Sequence, residues 1–305
     1  MKKVITAALM AVAGLTAMEA SAGTYTQTKY PIVLAPGVLG FDKILGIEYF
    51  YGVPSALSKD GAKVYVTSAS AFNTSEARGE QLLGQVQTIL AISGAQKINL
   101  IGHSHGGFSA RYVAGLMPTR VASITTMGSP VKGTPAGDMI LQFTANPLIG
   151  GVVGTVGNAF SKLVSVLGGQ NYSENFLGSM ASLSTSGAAA FNARFPAGVP
   201  ASSCGEGAYS ANGQRFYSMG GTSVLTNVFD PLDIFFSATS LAQAGQASDG
   251  LVGRCSNHFG QVLRDNYPWN HGDEINHLFG IRGLFTPEPT SVYRDQANRL
   301  KNAGL

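Results

Sequence analysis

The chain has 305 residues, of which 45% are hydrophobic and 12% charged, with a formal net charge of +3. That length and apolar content support one large α/β unit or two ordinary ones with substantial cores, and exclude a disordered chain. So small a charge excess, with no basic run, excludes nucleic acid as a partner, and 39 glycines without a fixed period indicate tight turns rather than a repeat architecture.

Residues 1–22 read as a secretory signal peptide. Lys2 and Lys3 precede an apolar run from Val4 to Met18, and Ala20-Ser21-Ala22 has the small-x-small form that a signal peptidase cuts. The run is shorter than the ~20 residues a spanning helix needs. The mature chain is therefore expected to start near Gly23 and to be secreted.

Tyr30 to Ala35 is an apolar run that stops at Pro36-Gly37, as a buried strand does. Lys63 to Thr67 is a second β-rich run. Asn73 and Glu76 have the spacing of a capping box with Asn73 as N-cap; Leu82, Val86, Ile89 and Leu90 follow at helical spacing, and Gly94 sits where a C-cap belongs. Ile98–Ile101 predicts a strand, Phe108–Met117 a helix and Val121–Met127 another strand. Alternating strand and helix is the signature of an α/β protein, a mostly parallel, doubly wound sheet with helices on both faces.

Between the third strand and its helix lies Gly102-His103-Ser104-His105-Gly106. In so glycine-rich a chain the G-x-S-x-G pattern alone carries little weight, but strand before and helix after are the context it requires. Small residues at 102 and 106 let the two elements pack closely while Ser104 projects at the tip, and the helix start offers amides to an anion. Ser104 is the candidate nucleophile.

Beyond Pro130, Ile149, Val152, Val153, Val156, Phe160, Leu163, Val164 and Leu167 fall on one helical stripe, with glycines, Thr155, Asn158, Ser161 and Lys162 on the rest. A one-sided stripe argues against a spanning helix and leaves two readings, a core helix or a mobile cap over an apolar cleft. Cys204 and Cys255 are the two cysteines, and in an oxidising compartment they are expected to pair. Closing a loop of roughly 50 residues would contribute about 4 kcal/mol on the chain-entropy argument.

A serine nucleophile needs a base, and the base an acid, in the order Ser, Asp/Glu, His along such a chain. The histidines that follow at a useful distance are His258, His271 and His277; the acids are Asp230, Asp233 and Asp249. Asp249-Gly250 is a turn dipeptide before Leu251-Val252, a suitable loop for the acid, but pattern alone leaves both choices open.

These residues closely resemble the family I bacterial, Pseudomonas-type triacylglycerol lipases. The resemblance runs through residues 25–34, Leu39-Gly40-Phe41-Asp42, Arg78-Gly79-Glu80-Gln81-Leu82-Leu83, residues 99–107, Cys204-Gly205-Glu206-Gly207-Ala208-Tyr209, Asp249-Gly250-Leu251-Val252-Gly253, Arg264-Asp265-Asn266-Tyr267 and residues 297–303, and is weakest over about 139–172. It implies the α/β-hydrolase fold as one domain over 23–305, a triad of Ser104, Asp249 and His271, and oxyanion donors at the Val38 and His105 amides. It also implies one structural Ca2+ held by the carboxylates of Asp230 and Asp273 and the carbonyls of His277 and Ile281, a Cys204–Cys255 disulfide, and a lid over about 139–170. The activity implied is hydrolysis of triacylglycerol at a lipid–water interface, with a membrane-anchored foldase as folding partner. Three positions depart from the family pattern: Pro36 replaces a histidine, Val38 a Met or Leu, and His277 a glutamine. The rival expectations are an esterase of short or polymeric esters with the same triad, and a binding protein that keeps the fold without the chemistry.

Overall fold

Strand β1 (Ile32–Ala35) is buried along its whole length, and its side chains divide between two cores. This computed structural model describes residues 23–305; the expected signal peptide lies outside the described residues. A hairpin of β2 (Lys43–Ile44) and β3 (Ile47–Glu48) follows, then α1 (Val53–Lys59), β4 (Val64–Val66) and α2 (Ser75–Ser93). β5 (Ile98–His103), α3 (Gly106–Leu116) and β6 (Val121–Met127) come next, followed by four helices without an intervening strand: α4 (Pro135–Phe143), α5 (Pro147–Leu167), α6 (Phe176–Leu183) and α7 (Thr185–Arg194). The chain closes with β7 (Ser210–Ala211), β8 (Gln214–Gly221), α8 (Pro231–Ser240), β9 (Gln261–Tyr267) and α9 (Pro289–Asn302).

The seven-stranded sheet has the order β4-β1-β5-β6-β8-β7, with β9 also paired to β8; every pairing is parallel except β7 with β8. β5 and β6 are buried at every position, as strands covered on both faces must be. Ile32 and Leu34 face a core with Phe50, Trp269 and Tyr293, on the side of α1 and α9; Val33 and Ala35 face Val86, Leu100 and Val113, on the side of α2 and α3. The chain runs from β1 outward to β4 and then returns to β5 on the other side of β1. The carboxyl ends of β1 and β5 therefore lie side by side, Ala35 opposite Gly102, at a topological switch point.

The helix over 75–93 begins one residue later than the sequence suggests. Thr74, not Asn73, is the N-cap, its hydroxyl accepting the Ala77 amide at 3.2 Å, while the Asn73 side chain amide donates to the Ser173 carbonyl at 2.8 Å. Asn73 is thus recruited by tertiary structure, and the next hydroxyl takes the cap. Gly94 is the C-cap as expected, left-handed at φ 67°.

The amphipathic stripe forms one helix, α5, but turned outward. Val152 is 65%, Val156 63% and Phe160 51% exposed, whereas Ser161 and Ser165 are buried. The small residues explain the direction: a Cβ on Gly157 would lie 2.5 Å from the Phe176 ring and one on Gly154 3.2 Å from Leu177, so these glycines let α6 approach closely. The core-helix reading is overturned for most of the stripe: Val164 is buried, in the cluster with Phe108 and Phe191, but the stripe's other residues are exposed or half-buried. The Cys204–Cys255 disulfide is formed, with Cα atoms 4.6 Å apart.

Candidate active site

Ser104 follows the last residue of β5 and is held in the left-handed region at φ 54°, a conformation that costs a non-glycine residue ~1–2 kcal/mol. Its surroundings impose it. The Ser104 amide donates to the Met127 carbonyl at 2.9 Å, and its own carbonyl accepts the Ser129 hydroxyl at 2.7 Å. A Cβ on Gly102 would lie 2.4 Å from the Gly106 carbonyl oxygen, and one on Gly106 2.2 Å from the Ala35 carbonyl oxygen, so both ends of the elbow require glycine.

Of the open candidates, one acid meets one histidine. Asp249 Oδ2 lies 2.7 Å from His271 Nδ1, both residues are buried, and the His271 amide donates to the Asp249 carbonyl at 2.8 Å. The other carboxylate oxygen accepts the Leu251 and Val252 amides at 2.8 and 2.7 Å, so the turn dipeptide fixes its own aspartate. An ionised carboxylate only accepts, so Nδ1 donates and Nε2 is left with a lone pair. That Nε2 is buried and has no hydrogen-bond partner among the described residues, Ser104 Oγ included. The elbow is nonetheless adjacent, since the ring of His103 packs 4.5 Å from that of His271. The rejected histidines are engaged elsewhere: His258 lies between Asp265 at 2.9 Å and the Gly205 carbonyl at 3.1 Å, and the His277 Nε2–H donates to the Glu48 carbonyl at 2.7 Å.

The two amides expected to face an oxyanion, Val38 and His105, have no acceptor among the described hydrogen bonds. The loop that carries Val38 is clamped from beneath. The buried guanidinium of Arg78 donates to the carbonyls of Pro36 (2.8 Å), Gly37, Ser70 and Ala71, and the Gly37 amide donates to the Tyr49 hydroxyl at 2.9 Å. Burial lowers the Arg78 pKa to about 10, which leaves it charged at neutral pH. Pro36 is tolerated because this loop uses its carbonyl, not an N–H. The His105 ring is held by the Ser75 hydroxyl at 2.9 Å and more weakly by Ser179 of α6 at 3.5 Å; burial, with Arg78 nearby, keeps it neutral.

Glu274, Tyr49 and Arg78 are site residues the sequence reading did not assign. Glu274 is wholly buried, with Oε1 accepting the Gly221 amide at 2.7 Å and Oε2 3.6 Å from His271 Nδ1 and 3.3 Å from His103 Nε2. Burial, reinforced by the charge of Asp249, pushes its carboxyl well above the usual carboxylate range. Its i+3 spacing from His271 was the available signal.

Asp230, Asp233 and Asp273 converge on Asn270. The Asn270 side-chain amide donates to Asp233 Oδ1 at 2.8 Å and approaches Asp230 Oδ2 at 3.4 Å, and its backbone amide donates to Asp273 Oδ2 at 3.1 Å. Burial, with repulsion from Asp230 and Asp233, pushes the Asp273 carboxyl up to about 7, and its Oδ1 is buried without a partner among the described residues. Among the described residues the His277 and Ile281 carbonyls accept no backbone hydrogen bond. Buried, like-charged, under-satisfied oxygens form a donor set that suits a hard cation.

The alpha/beta hydrolase fold family matches residues 30–274. A triacylglycerol lipase of Vibrio cholerae is 47% identical over 96% of this chain and 94% of its own length, and one of Pseudomonas fragi is 39% identical over 92% and 98%. Among solved structures, Staphylococcus hyicus lipase shares the fold at a TM-score of 0.62 and 17% identity, covering 93% of this chain and 98% of that one. The mature form of Bacillus licheniformis lipase BlEst2 does so at 0.59 and 16%, covering 90% and 93%.

Proposed function

The chain belongs to the bacterial triacylglycerol lipases of the alpha/beta hydrolase fold, and from that membership we propose a secreted serine lipase that works through Ser104, Asp249 and His271 at a lipid surface. The observation that carries the mechanism is the Asp249–His271 pair, with its outer nitrogen unspent, next to a left-handed serine and two unspent amides. His271 Nε2 takes the Ser104 proton as the hydroxyl attacks the ester carbonyl. The Val38 and His105 amides hold the oxyanion, each worth ~3 kcal/mol in such sites. His271 then gives the proton to the departing alcohol, and the same nitrogen activates the water that releases the fatty acid.

A lipid surface is the reading that the outer faces of the molecule favour. The exposed stripe of α5 is linked to the site through α6, Ser179 and His105. Next to the site, Phe236 of α8 packs against the His271 ring at 6.1 Å, while Ile234 and Phe235 of the same helix are exposed. Rates should be measured over triacylglycerols of increasing acyl length, and the expected result is a steep rise once a long-chain substrate forms an interface. Saturation below that point would instead assign a short-ester hydrolase. Changing Val152, Val156 and Phe160 together to serine is expected to lower hydrolysis of emulsified substrate at least ~10-fold, since each fully buried side chain is worth roughly 1.5–3 kcal/mol. Hydrolysis of a soluble short-chain ester by this variant should change less than about twofold, because the variant leaves the chemistry of the site intact.

Calcium at the Asp230 and Asp273 carboxylates, with the His277 and Ile281 carbonyls, is part of the same proposal. When bound it would neutralise the acid cluster and so tie α8 to the loop that carries His271. The His277 side chain is engaged by Glu48, which supports ligation through its carbonyl rather than its ring. Chelation is expected to lower the melting temperature by about 5 °C or more, from loss of a ligand worth a few kcal/mol to the folded state. An unchanged melting temperature would remove calcium from the account. Export by residues 1–22 and folding with a membrane-anchored foldase complete the reading, and the disulfide supports an oxidising destination.

A further inference from the structure

The loop that presents the Val38 amide lies beyond the last residue of β1, so strand pairing does not fix it. Arg78 takes its carbonyls. The Gly37 amide, one residue from Val38, takes the Tyr49 hydroxyl at 2.9 Å. A hydroxyl that accepts from an amide gives its own proton elsewhere, and the acceptor in reach is His103 Nδ1 at 2.8 Å. His103, kept neutral by burial and by His271 beside it, therefore carries its proton on Nε2, which faces Glu274 Oε2 at 3.3 Å. The phenol is 4% exposed, and its ring meets those of Phe41 and Phe50 edge-on at 5.4 and 5.1 Å. Its backbone is set by the β2–β3 hairpin, whose end it follows, through a bond from the Tyr49 amide to the Asp42 carbonyl at 2.8 Å.

We propose that Tyr49 is a positioning residue of the oxyanion hole. One hydroxyl joins the loop holding the first donor, Val38, to the histidine two residues before the second, His105, and so sets their separation. The hairpin over 43–48 is the arm that delivers it. There is little room for the loop to shift in compensation: a Cβ on Gly37 would lie 2.6 Å from the Ser104 Cβ and 2.7 Å from the Tyr49 oxygen.

The inference rests on the serine-hydrolase reading and is tested apart from it. Wild-type protein and Tyr49→Phe are assayed on a soluble p-nitrophenyl ester, and Ser104 is titrated with a phosphonate ester, a reaction that also develops charge on an oxygen in the hole. Failure of the wild type to be phosphonylated would remove the reading itself. With that reaction present, Tyr49→Phe is expected to lower kcat about 10-fold, with KM within about twofold and phosphonylation slowed in parallel, as misplacement of a donor does. An unchanged kcat and phosphonylation rate, or a change confined to KM, would overturn the proposal. If Tyr49→Phe does not fold, the pair at His103 decides. His103→Asn keeps an acceptor near Nδ1 and is expected to retain several-fold more activity than His103→Leu; equal activities would overturn it.

Discussion

Ser104→Ala is expected to lose at least about 10⁴-fold in kcat on every ester substrate, the scale at which removal of a triad nucleophile leaves only binding and the oxyanion donors. The loss should come without unfolding, because every hydrogen bond that fixes the elbow is made by the Ser104 backbone and not by its hydroxyl. Alanine keeps the left-handed penalty. Glycine does not, so Ser104→Gly should be as inactive as the alanine variant and about 1 kcal/mol more stable in denaturant unfolding. Retained hydrolysis in either variant would displace Ser104 from the mechanism. A glycine variant no more stable than wild type would show that the elbow is not strained.

The second large effect is at Asp249, where the two obvious substitutions should differ. Asp249→Asn places an amide opposite His271 Nδ1; holding the wrong tautomer costs a triad on the order of 10⁴-fold in kcat. Asp249→Ala leaves that nitrogen free, and Glu274 Oε2 is already 3.6 Å away. Removing the charge of Asp249 also removes one of the causes, beside burial and the charge of Asp273, that hold the Glu274 proton in place, so the glutamate ionises more readily in this variant. The alanine variant is therefore expected to keep at least ~10-fold more activity than the asparagine variant. Because Glu274 must lose its proton to serve, the acid limb of its pH–rate profile should lie at higher pH than in wild type. Adding Glu274→Gln should bring it down to the asparagine level. If alanine is no better than asparagine at matched folding, Glu274 cannot stand in for Asp249.

What the sequence discloses follows from how local each signal is. The elbow is legible because strand, tight turn and helix are consecutive, and each of Gly102, Ser104 and Gly106 has a local reason to be there. Asp249 and His271 are 22 residues apart with β9 between them; only the pairing of β9 with β8 selects them over Asp233 or His258. Asn73 and Thr74 both suit an N-cap, and the choice is made by Ser173, a hundred residues on. Periodicity located α5 but not its direction, since a stripe records amphipathicity and not which side is packed; Gly154 and Gly157 held that information as small residues opposite Leu177 and Phe176. Tyr49, Arg78 and Glu274 are single buried polar residues. They leave no period, and their partners are set by tertiary structure alone.

The working parts are also ordered along the chain in a way that matters for synthesis. The residues of the proposed anion-holding loop and nucleophile are all present by residue 107 and the bonds that fix the elbow by Ser129, but the proposed proton acceptor, His271, comes only after β9, the last strand of the sheet in chain order. A nascent or partly folded chain thus has a serine with no base to activate it. For a lipase that works as proposed this amounts to a built-in delay: no ester can be cleaved until the final strand has been laid in place.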